Sequence, residues 1–271
     1  MAMLKDVQNL KDKRGIAIDK VGIKNLHYPI SVLDKAKSFQ HTVADINMYV
    51  DLPHYFKGTH MSRFLEVLNE HRGEISIVSF PDILRKIKKV LNAGSASVEI
   101  EFPYFIEKAA PVSGKKSLME YICYYNGTIR DVTKKGSVPF SGTADDESVI
   151  IIGVKVPVNT LCPCSKEISK YGAHNQRGIV SVSLEFSKLI WFEDIIADVE
   201  SCASSPIYSL LKREDERFLT EHAYENPMFV EDVARCVAGI LKKNKNIKWF
   251  RVEAENFESI HNHNAYAMIE G

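Results

Sequence analysis

Cys162, Cys164 and His174 stand within thirteen residues of one another, in Leu161-Cys162-Pro163-Cys164-Ser165-Lys166 and the following Ala173-His174-Asn175-Gln176-Arg177. A thiolate and an imidazole are ligand types that a borderline-soft ion such as zinc takes. Pro163 and Gly172 break the segment into turns. It lies between the apolar runs Val149-Ile150-Ile151 and Ile179-Val180-Ser181-Val182, which read as strands. A loop held between two buried strands is a good place for chemistry. The cysteines are spaced Cys-Pro-Cys and His174 follows Cys164 by ten positions, so the second Cys-x-x-Cys pair of a structural zinc site is missing. One thiolate plus one imidazole suits a catalytic site, where three protein ligands leave a position open for water. The plain alternative stays open at this point: a pair of buried apolar cysteines and a hydrogen-bonded histidine.

The elements that must position this loop follow from periodicity. Thr42 to Leu52 alternates as a strand, with Leu26 to Leu33 as its partner. Ser62 to Arg72 and Pro81 to Asn92 carry helical patterns. In the second, Ile83, Leu84, Ile87, Val90 and Leu91 share one side and Arg85, Lys86, Lys88 and Lys89 form a basic face. Pro81 suits a first helical turn and Gly94 a stop. Ser95 to Phe105 and Ser117 to Tyr125 read as strands. The second half repeats the order: strands over Ser148 to Val158 and Gly178 to Phe186, helices over Trp191 to Ala203, Leu210 to Tyr224 and Pro227 to Lys243, then strands over Ile247 to Ala254 and Ile260 to Ile269. A boundary is expected near residues 136–147, where Gly136, Ser137, Pro139 and Gly142 cluster. The division is an N-terminal arm over 1–25, one half over 26–140 and a second over 141–271. The lysine runs around Lys88 and Lys243 are expected to be solvated helix faces.

The chain has 271 residues, 45% of them hydrophobic, and zero formal net charge. Such a balance argues against a general nucleic-acid binder. Five cysteines, an odd number without the spacing of a small secreted scaffold, point to reduced thiols in a cytoplasmic protein. No apolar run is long enough to span a membrane, and the polar N-terminus lacks a secretory h-region.

Several segments stand out together: Val156-Pro157-Val158-Asn159-Thr160-Leu161-Cys162-Pro163-Cys164-Ser165-Lys166-Glu167, Gly172 to Arg177, and Leu211-Lys212-Arg213 with Asp215-Glu216. Pro227 to Asp232, Asn256 to Tyr266 and Gly58-Thr59-His60-Met61-Ser62-Arg63-Phe64 complete the set. With these segments the chain resembles the type IB GTP cyclohydrolases. The resemblance covers the chain from about Gln40 onward. It implies an α+β fold of tandem tunnelling-fold halves, each a four-stranded antiparallel sheet with two helices on one face, assembling into a barrel as a homo-oligomer, a tetramer. The implied reaction converts GTP and water to 7,8-dihydroneopterin triphosphate and formate, entering folate and pterin synthesis, with a divalent metal, zinc or manganese. By the same resemblance Cys162, His174 and Glu216 are metal ligands, with Cys162 also in the catalytic set. Glu231 takes the guanine edge, and His261 and His263 lie near the reacting carbon. Lys166, Arg177, His60 and Arg63 are candidates for the triphosphate, because phosphate calls for cations. His60 and Arg63 would come from a neighbouring subunit.

Each residue also has an ordinary reading. Glu216 lies in a charged run that suits a solvated helix, and Glu231 could complement a helix dipole. His261 and His263 alternate on an expected strand, so they would share one face. Competing functions are another metal-dependent purine or pteridine hydrolase, a nitrile reductase with a cysteine nucleophile, and a metal-stabilised assembly protein without activity. The zinc deaminase signature, His-x-Glu with Pro-Cys-x-x-Cys, is absent.

Overall fold

A computed structural model describes residues 8, 10–71, 75–131 and 146–271. In chain order the elements are β1 (Ile18–Asp34), β2 (Ser38–Leu52), α1 (Met61–Glu70), α2 (Phe80–Val90), β3 (Ser95–Ala109), β4 (Lys116–Asp131) and β5 (Asp146–Leu161). They continue with α3 (Pro163–Ile168), β6 (Asn175–Phe186), α4 (Phe192–Ser201), β7 (Ser205–Pro206), α5 (Arg213–Glu225), α6 (Val230–Leu241), β8 (Ile247–Asn256) and β9 (Ala265–Glu270). The expected boundary at 136–147 lies almost wholly outside the described residues. β1 begins at Ile18 and takes in the last residues of the expected N-terminal arm.

The strands form one sheet in the order β1-β2-β3-β4-β5-β6-β8-β9, with β7 pairing β5 off this path. This corrects the expected architecture of separate four-stranded halves assembling into a barrel. β4 and β5 are neighbours, so the strands on either side of the presumed boundary join one nine-stranded antiparallel sheet. Among the described residues it does not close on itself, since β1 and β9 end the order. The physical reason is strand length: β3, β4 and β5 run for 15, 16 and 16 residues. Each passes through both of the chain's compact units.

The first unit takes in residues up to Phe102 and Tyr124–Ile151. Its core comes from the alternation in β2, where Ala44, Ile46, Met48 and Val50 are buried, and from the apolar stripe of α2, where Phe80, Ile83, Leu84 and Ile87 are buried. Pro81 lies in the first turn of α2 as expected. The stop is set by Asn92, at φ +52°, a left-handed conformation that asparagine tolerates. Gly94 is instead a point of close approach, where an added Cβ would stand 3.1 Å from the Asp51 carboxylate. Lys88 is not on a solvated face. It is buried and paired with Asp131 and Asp146.

The second unit takes in Pro103–Cys123 and Ile152–Gly271. α4 lies against β3 and β4 through polar pairs: Tyr104 donates to Glu193 at 2.6 Å, and Tyr121 and Lys108 both donate to Glu200, at 2.7 and 2.8 Å. Cys202 and Cys236 form a disulfide between the C-terminal end of α4 and α6. The expectation of reduced thiols thus holds only for Cys123, Cys162 and Cys164. No helix among the described residues is long and apolar enough to cross a membrane.

Candidate active site

The loop that joins β5 to β6 carries the chemistry-bearing residues. Strand β5 ends at Leu161, and both backbone groups of that residue are tied down. Its N–H donates to the Ser204 hydroxyl at 3.0 Å, and its carbonyl accepts from Met228 N–H at 3.1 Å. The strand end that presents Cys162 is therefore fixed to the segment that begins α6. Pro163 then starts the short helix α3. Cys162 caps it, its sulfur accepting from Ser165 N–H at 3.4 Å.

His174 is brought to the same place by backbone contacts. Cys162 N–H donates to the His174 carbonyl at 3.1 Å, and His174 N–H donates to the Ser165 hydroxyl at 3.2 Å. On the ring, Nδ1 lies 3.0 Å from the Gln176 amide oxygen and 4.0 Å from a Glu258 carboxylate oxygen. The His174 and Glu258 side chains are only 15% and 13% exposed. Cys164, two residues on from Cys162, is exposed.

The other expected residues lie on several elements. Glu231 is exposed in the first turn of α6, beside Asp232, whose carboxylate accepts from Phe229 N–H at 3.1 Å. Asp232, not Glu231, caps the helix. His261 and His263 are exposed and their rings stack with centroids 5.1 Å apart. They do so in the bends that precede β9, not on a strand as expected. Lys166 donates to the Tyr224 carbonyl at 2.5 Å with its ammonium 4.4 Å from that ring, and Arg177 is exposed on β6. His60 and Arg63 belong to the first unit, at the start of α1, where Arg63 donates to the Val90 carbonyl at 3.1 Å. A cavity of about 640 Å³ in the first unit, lined by Ser31, His41, Ser79 and Asp82 among others, contains none of the expected residues.

By donor type Cys162 and His174 fit a borderline-soft ion. Glu216, the third expected ligand, is exposed in the first turn of α5. Among the described residues no three His, Cys, Asp or Glu side chains gather as a metal-holding group.

Two polar residues near His174 had no role in the sequence reading. Gln176 could have been found because it is a polar residue on the buried phase of β6. Glu258 lies in a loop, where alternation carries no signal.

The geometry can be set beside known proteins. The fold is similar to that of urate oxidase from Bacillus sp. TB-90 (TM-score 0.54, 8% identity, 94% of this chain and 99% of that one). A hyperthermostable mutant of that oxidase matches at TM-score 0.52 and 9% identity, over 94% and 98%. At such identities the likeness is one of fold alone. In sequence the chain is 60% identical to GTP cyclohydrolase FolE2 of Syntrophus aciditrophicus (strain SB), over 98% of each chain. It is 58% identical to the protein of the same name from Geotalea uraniireducens (strain Rf4), over 98% of this chain and 93% of that one. The family described as type I GTP cyclohydrolase folE2 matches residues 4–267, nearly the whole length, and the chain belongs to that family.

Proposed function

We infer that the protein is a GTP cyclohydrolase that hydrolyses GTP to 7,8-dihydroneopterin triphosphate and formate, in folate and pterin biosynthesis. The observation that carries the reading is the joining of Cys162 to His174 by the 3.1 Å backbone bond, in a chain that matches the family over residues 4–267. Cys162 and His174 would hold a divalent ion, zinc or manganese, with Glu216 as the third ligand. Such an ion supplies Lewis-acid chemistry that makes water a competent nucleophile near neutral pH.

The remaining roles follow from the chemistry of guanine. Its N1–H and 2-amino group are adjacent donors, and the Glu231 carboxylate can accept both. Addition of water at C8, ring opening and formate release all move protons, work suited to the His261 and His263 imidazoles. Lys166 and Arg177 serve the triphosphate. His60 and Arg63 join them from a second copy of the chain, in a cytoplasmic homotetramer. Among the described residues β1 and β9 end the sheet order, and this supports assembly, because sheet edges are usually paired or covered.

The test is incubation of protein reconstituted with zinc or manganese with GTP, assaying formate and, after oxidation, fluorescent neopterin. Equimolar formate and neopterin support the reading. GTP consumed without formate would overturn it.

A further inference from the structure

Gln176 links His174 to the body of the sheet. It lies on β6 and Thr160 on the neighbouring β5, and the two are 6% and 0% exposed. Its amide nitrogen donates to the Thr160 hydroxyl at 3.0 Å, and its amide oxygen lies 3.0 Å from His174 Nδ1. An amide oxygen only accepts, so Nδ1 must carry the hydrogen, and in the neutral ring Nε2 keeps the lone pair.

One other arrangement of hydrogens satisfies the same three groups. The amide could be turned over, with Thr160 donating to its oxygen and its nitrogen donating to a bare Nδ1. The Glu258 carboxylate decides between the two. At 4.0 Å from Nδ1, its negative charge favours a hydrogen there and disfavours a lone pair.

We propose that Gln176, oriented by Thr160, is a positioning residue for His174: it holds the imidazole in the Nδ1–H tautomer and presents Nε2 as the basic nitrogen. Partners of this kind fix both ring orientation and ligand basicity at metal-binding histidines. The link to metal binding rests on the reading of His174 as a ligand. The tautomer itself does not.

Two measurements on the full chain separate these parts. The first is nitrogen NMR of protein carrying ¹⁵N-histidine, without metal, at mildly alkaline pH, with the His174 signals identified by their loss in His174→Ala. The expected result is a protonated Nδ1 and a bare Nε2, giving way to a mixture in Gln176→Leu. An Nε2–H tautomer in the parent overturns the proposal. The second is zinc affinity by chelator competition, alongside melting of the metal-free protein. Gln176→Leu is expected to bind zinc at least tenfold more weakly. Gln176→Glu, which keeps an acceptor at Nδ1, is expected to stay within about threefold of the parent. Should both variants lower the metal-free melting point and leave zinc affinity unchanged, Gln176 is only structural and the proposal fails. If His174→Ala binds zinc as tightly as the parent while the NMR result holds, the tautomer assignment stands and the ligand reading of His174 is what falls.

Discussion

Asp215 clasps Ser113: the fully buried carboxylate at the start of α5 accepts from the Ser113 hydroxyl at 2.6 Å and from its N–H at 2.8 Å. Val112 and Lys212 N–H groups add bonds at 2.9 and 2.8 Å. One side chain thus caps α5 and docks the turn between β3 and β4. Burial pushes this carboxyl up, but the bonds from Ser113, Lys212 and Val112 outweigh it and hold it well below the usual carboxylate range. A depressed folded-state value contributes stability that is fully present above the unfolded value of about 3.9 and is lost as pH falls through the folded one. Asp215→Asn is expected to be less stable than the parent at neutral pH and to lose less of its remaining stability in acid. Urea unfolding of both proteins from pH 6 downward checks this. Parallel curves would show that Asp215 does not supply the difference.

The Cys202–Cys236 disulfide spans 34 positions. Closing a loop of that size constrains the unfolded chain, and the chain-entropy account gives about 3–4 kcal/mol. The Cys236→Ser protein is expected to unfold at lower urea than the oxidised parent by that amount, and reductant should bring the parent towards the variant. Thiol titration of the unfolded, unreduced parent should count three of the five cysteines. Five thiols would mean that the pair is not joined in solution.

Local pattern made most elements legible, and distance hid the rest. The helices over Phe80–Val90 and Val230–Leu241 were readable because their apolar residues recur at helical spacing. β3 was expected to stop at Phe105 yet runs to Ala109. Lys108 there is a covered position whose charge is met by Glu200 and the Ile207 carbonyl, 92 and 99 residues away. The joining of β4 to β5 was likewise invisible, since the glycine- and proline-containing stretch between them reads as a boundary. In the site, Cys162 and His174 were legible because one loop holds both. The role of Gln176 depends on Thr160 across a strand pair, and periodicity says nothing about such a partner.

The two loop cysteines should separate cleanly. Cys162 is part-buried and tied to the His174 loop, whereas Cys164 is exposed. On the proposed ligand set, Cys162→Ala removes a ligand and should weaken zinc binding well over tenfold, by analogy with the cost of disturbing ligands and their supports. Cys164→Ala should change it little. Chelator competition on both variants decides, and equal affinities would remove Cys162 from the ligand set.

Glu231→Gln tests base recognition without touching the metal. The substitution keeps the shape of the side chain but sets an NH₂ donor where, on the proposed role, a guanine N–H would point. In the complex, where the bound base would cover this side chain, a polar group left unmatched costs on the order of 1–3 kcal/mol, more where a charge is lost, so GTP affinity should fall tenfold or beyond. The residue stands exposed beside Asp232, which caps α6 through Phe229 N–H, so the helix keeps its cap and the melting temperature should barely move. Calorimetric titration with GTP, in protein whose zinc content matches the parent, reads the effect directly. Unchanged affinity would place the guanine edge elsewhere, and a large drop in melting temperature would mean that Glu231 supports α6 instead.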